Sequence, residues 1–286
     1  MGRQRTICIR SALRIFRLQP ARQTGNSEQS LQWKQHNERN VSMEKPTFSI
    51  VIPAHNEEQY IGKCLEAIRT AAKQVPDCGI QIIVAANRCT DRTAEIAKQY
   101  GAEVVEDGSR CIAAVRNTGA KAARGAYLVT VDADSYMAED ALKQVREKLE
   151  SGKFIGGGAN PRFERASPGI FFTTIYIAVH LVPVMLRSGG MLSGAMFWCR
   201  KADFDAVGGF DESLVSLEDL DFARRLRDYG KRSGKKYGTL KGWLITSARK
   251  FDQFGDWYLL KNRKMTKAIF TGKDKEAANR YYYDVR

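Results

Sequence analysis

At 286 residues with 43% hydrophobic side chains, the chain can bury the core of one large α/β domain, which excludes global disorder. The six cysteines (Cys8, Cys64, Cys78, Cys89, Cys111, Cys199) form no C-x-x-C pair and no Cys/His metal spacing, which excludes a disulfide framework and reads as separate thiols in a reducing compartment. The net charge of +14 sits in the flanks: nine basic against three acidic residues over 1–45 and 18 against six over 224–286, around a centre with 19 against 23, a distribution that suits phosphate-bearing partners and not a nucleic-acid-binding surface spread over the whole protein.

Residues 1–45 carry Arg, Gln, Ser and Asn without a sustained period and read as a disordered basic extension. No apolar run follows the early arginines, so a secretory signal is not expected. The opening Met-Gly-Arg-Gln-Arg-Thr fits the short pattern for N-myristoylation, and its arginines resemble a transit peptide. Met43 stands just before the first organised strand and is an alternative start.

From residue 47, short β-branched runs alternate with longer helical ones, the pattern of βαβ units and a mostly parallel sheet. Strands are expected over 48–52, 80–85, 102–106, 127–131 and 154–157, and helices over 58–74, 90–100, 112–124 and 138–150. Gly101 and Gly125 are placed to close two of the helices. Three strands run into polar loops, 53–57, 87–91 and 132–135, and in an open parallel sheet such loops share the ligand-binding edge. Beyond residue 160 the pattern is irregular. The apolar stretch 169–186, interrupted by His180 and Pro183, is too short for a convincing membrane span. A packed core helix and a helix lying in the bilayer interface both fit it, the former being preferred.

Asp132-Ala133-Asp134 follows the apolar strand 127–131, so two carboxylates leave the sheet together, close enough to share one hard cation or its water shell. Mg²⁺ or Mn²⁺ takes oxygen ligands and completes its shell with substrate phosphates, needing only one or two protein carboxylates. Bridging a diphosphate, such an ion neutralises the charge that grows on a leaving group. Downstream, Glu218-Asp219-Leu220-Asp221 opens a helix, where acidic residues also suit the helix dipole. Asp219 is a candidate general base for a hydroxyl, which is a poor nucleophile until its proton is taken. The turn Gly208-Gly209-Phe210-Asp211-Glu212 would bring this segment against the sheet edge. Before it, Gly194-Ala195-Met196-Phe197-Trp198 lies on the acceptor side, with Trp198 read as core in preference to a sugar-stacking platform. Trp243, Trp257 and Arg249-Lys250-Phe251 join aromatic to cationic groups in the basic tail, a mixture that suits a lipid-linked or phosphorylated acceptor.

Asp132-Ala133-Asp134, Gly208-Gly209-Phe210-Asp211-Glu212 and Glu218-Asp219, together with Ser49-Ile50-Val51-Ile52-Pro53-Ala54-His55-Asn56-Glu57-Glu58, Thr90-Asp91-Arg92-Thr93 and Arg116-Asn117-Thr118-Gly119, occur in the order seen in the family 2 glycosyltransferases, which the chain resembles over 47 to about 230. The resemblance implies a GT-A fold: a Rossmann-like, mostly parallel central sheet flanked by helices, with a C-terminal acceptor-side subregion. It divides the chain into a domain over 46–230, with a nucleotide-sugar half (46–150) and an acceptor and catalytic half (151–230), and a basic tail (231–286) that packs on the domain or contacts a membrane. It implies inverting transfer from a nucleoside-diphosphate sugar, UDP-sugars favoured, to a glycan, lipid-linked or small-molecule hydroxyl. The carried-over site is Pro53, Ala54, Glu57, Asn87 and Asp91 around the nucleoside, Arg116 beside them, Asp132 and Asp134 on ribose and the metal-bound diphosphate, and Asp219 as base. The cofactor is Mn²⁺ or Mg²⁺, and the place is the cytoplasm, with peripheral contact at the inner membrane face an open option.

Two departures bear on this. Where the family often has paired aspartates, this chain has Ala86-Asn87, which leaves the donor's base open because an amide both donates and accepts. No histidine follows Asp219 to complete a metal shell; only His36, His55 and His180 occur, the last read as a partly buried helix residue. A sugar-phosphate nucleotidyltransferase is the rival enzyme class, although Pro53-Ala54-His55-Asn56 is not the glycine-rich phosphate loop it would need. A catalytically silent nucleotide-binding module is the rival from outside enzymes.

Overall fold

A computed structural model describes residues 46–188, 195–214, 217–264 and 266. The extension expected over 1–45, the alternative start at Met43, His36, Cys8 and Gly194 lie outside the described residues.

Four parallel strands build the first half: β1 (Phe48–Ala54), β2 (Ile80–Asn87), β3 (Glu103–Asp107) and β4 (Tyr127–Val131). β1 lies between β2 and β4, and β3 adds outside β2. Four helices connect and cover them: α1 (Ile61–Ala72), α2 (Thr93–Gln99), α3 (Ile112–Lys121) and α4 (Ala141–Glu150). β1 and β2 are buried along their whole length, as strands covered on both faces must be. Their period-two geometry sends Phe48, Ile50 and Ile52 into one layer with Leu65 and Ile68 of α1 and Leu142 and Val145 of α4. Val51 and Ile83 point the other way, against Ala113 and Ala120 of α3.

All five expected strands and four expected helices are present, but α1, α2 and α4 each begin three residues later than their pattern suggested. Before α1 and α2 those residues are spent on loop hydrogen bonds described below. Gly101 follows α2 at φ +78°, the left-handed closure expected of it. Gly125 serves differently. A Cβ there would sit 2.5 Å from the Ser49 amide nitrogen, so it permits a close approach of backbones and does not cap α3.

The second half adds β5 (Ser135–Tyr136), β6 (Phe154–Phe163), β7 (Met196–Arg200) and β8 (Lys236–Thr246), giving one eight-stranded sheet ordered β3-β2-β1-β4-β7-β6-β8-β5. β7 runs antiparallel to both β4 and β6, while β8 is parallel to β6. The boundary expected at residue 230 therefore does not end the domain: residues 236–246 of the supposed tail are an interior strand. Trp198 of β7 is fully buried and donates Nε1–H to the Gly158 carbonyl at 3.0 Å, the core role preferred for it. Gly157 makes room for it, since a Cβ there would fall 2.3 Å from Trp198 Cζ2.

The remaining helices are α5 (Pro168–Ser188), α6 (Lys201–Ala206), α7 (Glu218–Lys231), α8 (Arg249–Phe254) and α9 (Tyr258–Lys261). The apolar stretch 169–186 falls within α5 but is not the packed core helix preferred above. Ile170 and Thr173 are buried, whereas Phe171, Phe172, Ile175, Val179 and Val182 face solvent. His180 is exposed too, its Nδ1 lying 2.9 Å from the Tyr176 carbonyl. Among the described residues no helix is long and apolar enough to cross a membrane.

Candidate active site

Hydrogen bonds lock the loops after β1 and β2 together. Asn56 Oδ1 accepts from the Thr90 amide at 2.8 Å, and Asp91 Oδ2 accepts from the Glu58 amide at 2.9 Å. Asp91 Oδ1 takes the Thr93 amide and hydroxyl, and Thr93 Oγ1 in turn accepts from the Glu57 amide at 2.7 Å. Burial works against the ionised Asp91, yet these hydrogen bonds outweigh it and hold the carboxyl below its ordinary range. Pro53 and Ala54 end β1 and are buried. Asn87 is buried as well: its Nδ2 donates to Asp107 O (3.0 Å), Asp107 Oδ1 (3.1 Å) and Ser109 O (2.7 Å), while its Oδ1 accepts from none of the described residues.

Asp132 and Asp134 leave β4 toward this edge, and each meets an arginine from elsewhere in the chain. Arg116 on α3 reaches Asp132 Oδ1 at 2.8 Å and Glu218 Oε1 at 2.6 Å, joining the D-x-D turn to the first turn of α7. Arg249, the first residue of α8, reaches Asp134 Oδ2 at 2.9 Å and clasps Glu57 at 2.5 and 2.8 Å. Asp132 Oδ2 and Asp134 Oδ1 accept no hydrogen bond from the described residues. Glu218, Arg249 and Thr93 had no role assigned from the sequence, whereas Glu57 was placed with the nucleoside loops and here meets Arg249. Glu218 was quoted only as part of a motif, and Arg249 only as part of a basic cluster.

Asp219 follows Glu218 and stands partly buried in the same turn, its Oδ1 accepting from the Leu220 amide at 2.7 Å. Burial and the neighbouring Glu218 charge push its carboxyl up to about 7, with Asp132 adding to the rise and Arg116 opposing it. A carboxyl poised there is half ionised near neutrality, the condition a general base needs.

Local packing explains why α7 begins at this place. Phe210, in the glycine turn, stacks on Phe222 of α7 at 4.5 Å and meets Phe197 and Phe204 edge-on at 5.7 and 5.8 Å. Asn117 clamps the same turn, donating to Phe210 O at 2.8 Å and accepting from its amide at 2.9 Å. Gly209, at φ +68°, has no space for a side chain: a Cβ would lie 2.7 Å from Asn117 Oδ1. Among the described residues, the non-glycine residues with positive φ are Asn56, Arg88 and Leu217, one in each of three loops at this edge. Such residues cost of order 1–3 kcal/mol and persist where surrounding structure enforces them.

Asp132 and Asp134 share the turn after β4, and the Glu218–Arg116–Asp132 bridge ties this turn to the helix turn that carries Asp219. Comparison with known proteins agrees with this architecture. Solved structures with the same fold include Staphylococcus aureus TarS residues 1–349 (TM-score 0.52, 18% identity, covering 82% of this chain and 69% of that one). Another is the mannosyltransferase PcManGT of Pyrobaculum calidifontis in complex with GDP-Man and Mn²⁺ (TM-score 0.54, 16% identity, 91% and 79% coverage). The fold is that of the GT-A glycosyltransferases. Residues 49–205 match the model of glycosyl transferase family 2, and the chain belongs to that family.

Among curated relatives, the uncharacterized glycosyltransferase EpsJ of Bacillus subtilis is 31% identical over 113 residues, 38% of this chain and 32% of that protein. Glycosyltransferase AglE of Haloferax volcanii is 24% identical over 192 residues, covering 65% and 62%. The chain therefore spans less than two thirds of the length of these relatives.

Proposed function

We propose that the chain transfers a sugar from a nucleoside-diphosphate donor to an acceptor hydroxyl with inversion, Asp219 acting as general base. The acceptor oxygen forms its bond to the anomeric carbon as the bond to the β-phosphate oxygen breaks. The hydroxyl proton goes to the Asp219 carboxylate, and the electron pair leaves with the nucleoside diphosphate. The observation that carries the reading is the Glu218–Arg116–Asp132 bridge, which brings the helix turn holding Asp219 to the D-x-D turn, where burial and the Glu218 charge raise the Asp219 carboxyl.

A divalent cation fits the donor set. Asp132 and Asp134 each keep one carboxylate oxygen free of hydrogen bonds from the described residues, and five carboxylates (Glu57, Asp132, Asp134, Glu218, Asp219) lie about two arginines, leaving negative charge for a dication to offset. No cluster of three or more His, Cys, Asp or Glu side chains suited to a metal is found among the described residues, so phosphate oxygens would complete the shell. Bound there, Mn²⁺ or Mg²⁺ supplies Lewis-acid stabilisation of the departing diphosphate.

The loops holding Pro53, Ala54, Glu57, Asn87 and Asp91 form the nucleoside side. Asn87 is buried with its Oδ1 unpartnered among the described residues, and solved structures of the fold include complexes with UDP-GlcNAc and with GDP-Man. The exposed apolar face of α5, with Trp257 stacked on Phe172 at 6.1 Å, supports a peripheral, cytoplasmic-face membrane contact and a lipid-linked or glycan acceptor.

A thermal-shift panel of UDP- and GDP-sugars with Mn²⁺, followed by product analysis, tests the reading. Release of nucleoside diphosphate supports it; release of pyrophosphate would move the chain to nucleotidyl transfer, and absence of both transfer and hydrolysis to a silent binding module. Asp134→Ala should weaken nucleoside-diphosphate binding at least about tenfold in Mn²⁺ and leave it unweakened in EDTA. Calorimetry under both conditions checks this, and an equal loss in both would remove Asp134 from the metal.

A further inference from the structure

Arg249 belongs to neither acidic motif and lies far from the base in sequence, yet its guanidinium occupies the D-x-D edge. The side chain is 11% exposed, spans Glu57 and Asp134, and lies over the Tyr60 ring at 5.1 Å. Its backbone is tied to the same turn. Ser247 donates its amide to Asp134 O at 3.0 Å and its hydroxyl to Asp134 Oδ2 at 3.2 Å, while Phe251, two residues on, is buried with Ile170 and Ala248.

A structural tie to Glu57 accounts for only part of this. Glu57 already engages the guanidinium twice, and the same fork also reaches Asp134, which carries an open oxygen. A buried ion pair by itself gives little net stability over apolar packing, whereas the planar fork of arginine matches phosphate oxygens in a way few other side chains can. The charge balance points the same way. Arg116 is turned toward Asp132 and Glu218 on the base side, so on the Asp134 side Arg249 is the fixed cation that an incoming diphosphate would meet.

We propose that Arg249 is a donor-binding residue: its guanidinium shares itself between Asp134 and the donor's diphosphate, adding a built-in positive charge to that of the divalent cation. The inference rests on the donor reading given above. It makes part of the affinity for the diphosphate independent of metal. No covalent step is involved.

The test compares wild type, Glu57→Gln, and the double variant Glu57→Gln/Arg249→Gln, which removes both charges of the Glu57–Arg249 pair and leaves Asp134 with its Ser247 hydrogen bond. UDP and GDP are titrated by calorimetry in Mn²⁺ and in EDTA, and uridine and guanosine are followed by ligand-observed NMR. Charge-assisted hydrogen bonds of this type correspond to a roughly 10- to 100-fold change in affinity. Relative to Glu57→Gln, the double variant should lose that factor for the diphosphate, in EDTA as well as in Mn²⁺, with nucleoside binding within about twofold. Equal diphosphate affinity in the two variants, or a loss shared equally by nucleoside and diphosphate, overturns the inference. Wild type that binds neither UDP nor GDP in Mn²⁺ sinks the donor reading itself, a result distinct from either.

Discussion

Asp219→Asn should lower the transfer rate by about 10²- to 10⁴-fold while leaving donor affinity near that of wild type, because an amide of the same shape cannot take the hydroxyl proton. The rate constant kcat/KM of wild type should fall about tenfold per pH unit below its limb near 7, set by the Asp219 carboxyl in the free protein. The groups that place that limb are Glu218 on the same helix turn, Arg116 from α3 and Asp132 from the end of β4. The same substitution should also stabilise the fold. The folded carboxyl titrates near 7 and the unfolded one near 3.8, so between these values the native state holds the proton more tightly. Stability therefore falls as pH rises from about 4 to about 7, and the ionised Asp219 remains a burden above that. Asn removes the burden. Its melting temperature should exceed that of wild type by several degrees at pH 8, with the gap narrowing toward pH 5. A variant that keeps near-normal turnover would take Asp219 out of the base role, and a pH-independent melting difference would contradict the raised carboxyl.

Arg116→Met carries the largest expected cost to folding. The guanidinium is almost wholly buried, bonds Asp132 and Glu218 at 2.8 and 2.6 Å, and lies over the Phe210 ring at 5.4 Å. Removing one partner of a buried ion pair costs about 3–5 kcal/mol, since the other is left without compensation. Here two carboxylates lose their counterion and Asp219 loses the charge that opposes its rise. Denaturant unfolding should show a loss of that size, and the kcat/KM limb should move above 7. Glu218→Gln in the same chain should recover a substantial part of the stability by removing one stranded charge, and a double-mutant cycle measures how much. Additive effects would mean that the two side chains act independently, against the bridge seen between them.

How far the sequence reached can be judged element by element. Strands β1, β2 and β4 were legible because a strand buried on both faces must be a short apolar run, and the run ends where polar residues leave the sheet. Helices α1 and α2 began late because Glu58 and Asp91 hydrogen-bond across the two loops, an exchange between residues 33 positions apart that no local period records. β7 escaped notice as a strand since its five residues carry no polar alternation, and β8 since its partner β6 lies some 80 positions earlier. Stretch 169–186 was apolar enough for a core, but whether a helix face is covered depends on what packs over it, and little does.

For the site, composition and spacing alone determined the acidic inventory: two carboxylates leaving one strand and one in a later first turn, because strand exits and helix starts are encoded locally. Only the tertiary structure decided what those carboxylates face. Arg116 lies 16 residues before Asp132 and 102 before Glu218, and Arg249 lies 192 after Glu57, so both bridges form only when the crossovers bring distant elements to one sheet edge. The raised Asp219 carboxyl belongs to the same category, since burial and neighbouring charge are properties of an environment and not of a residue.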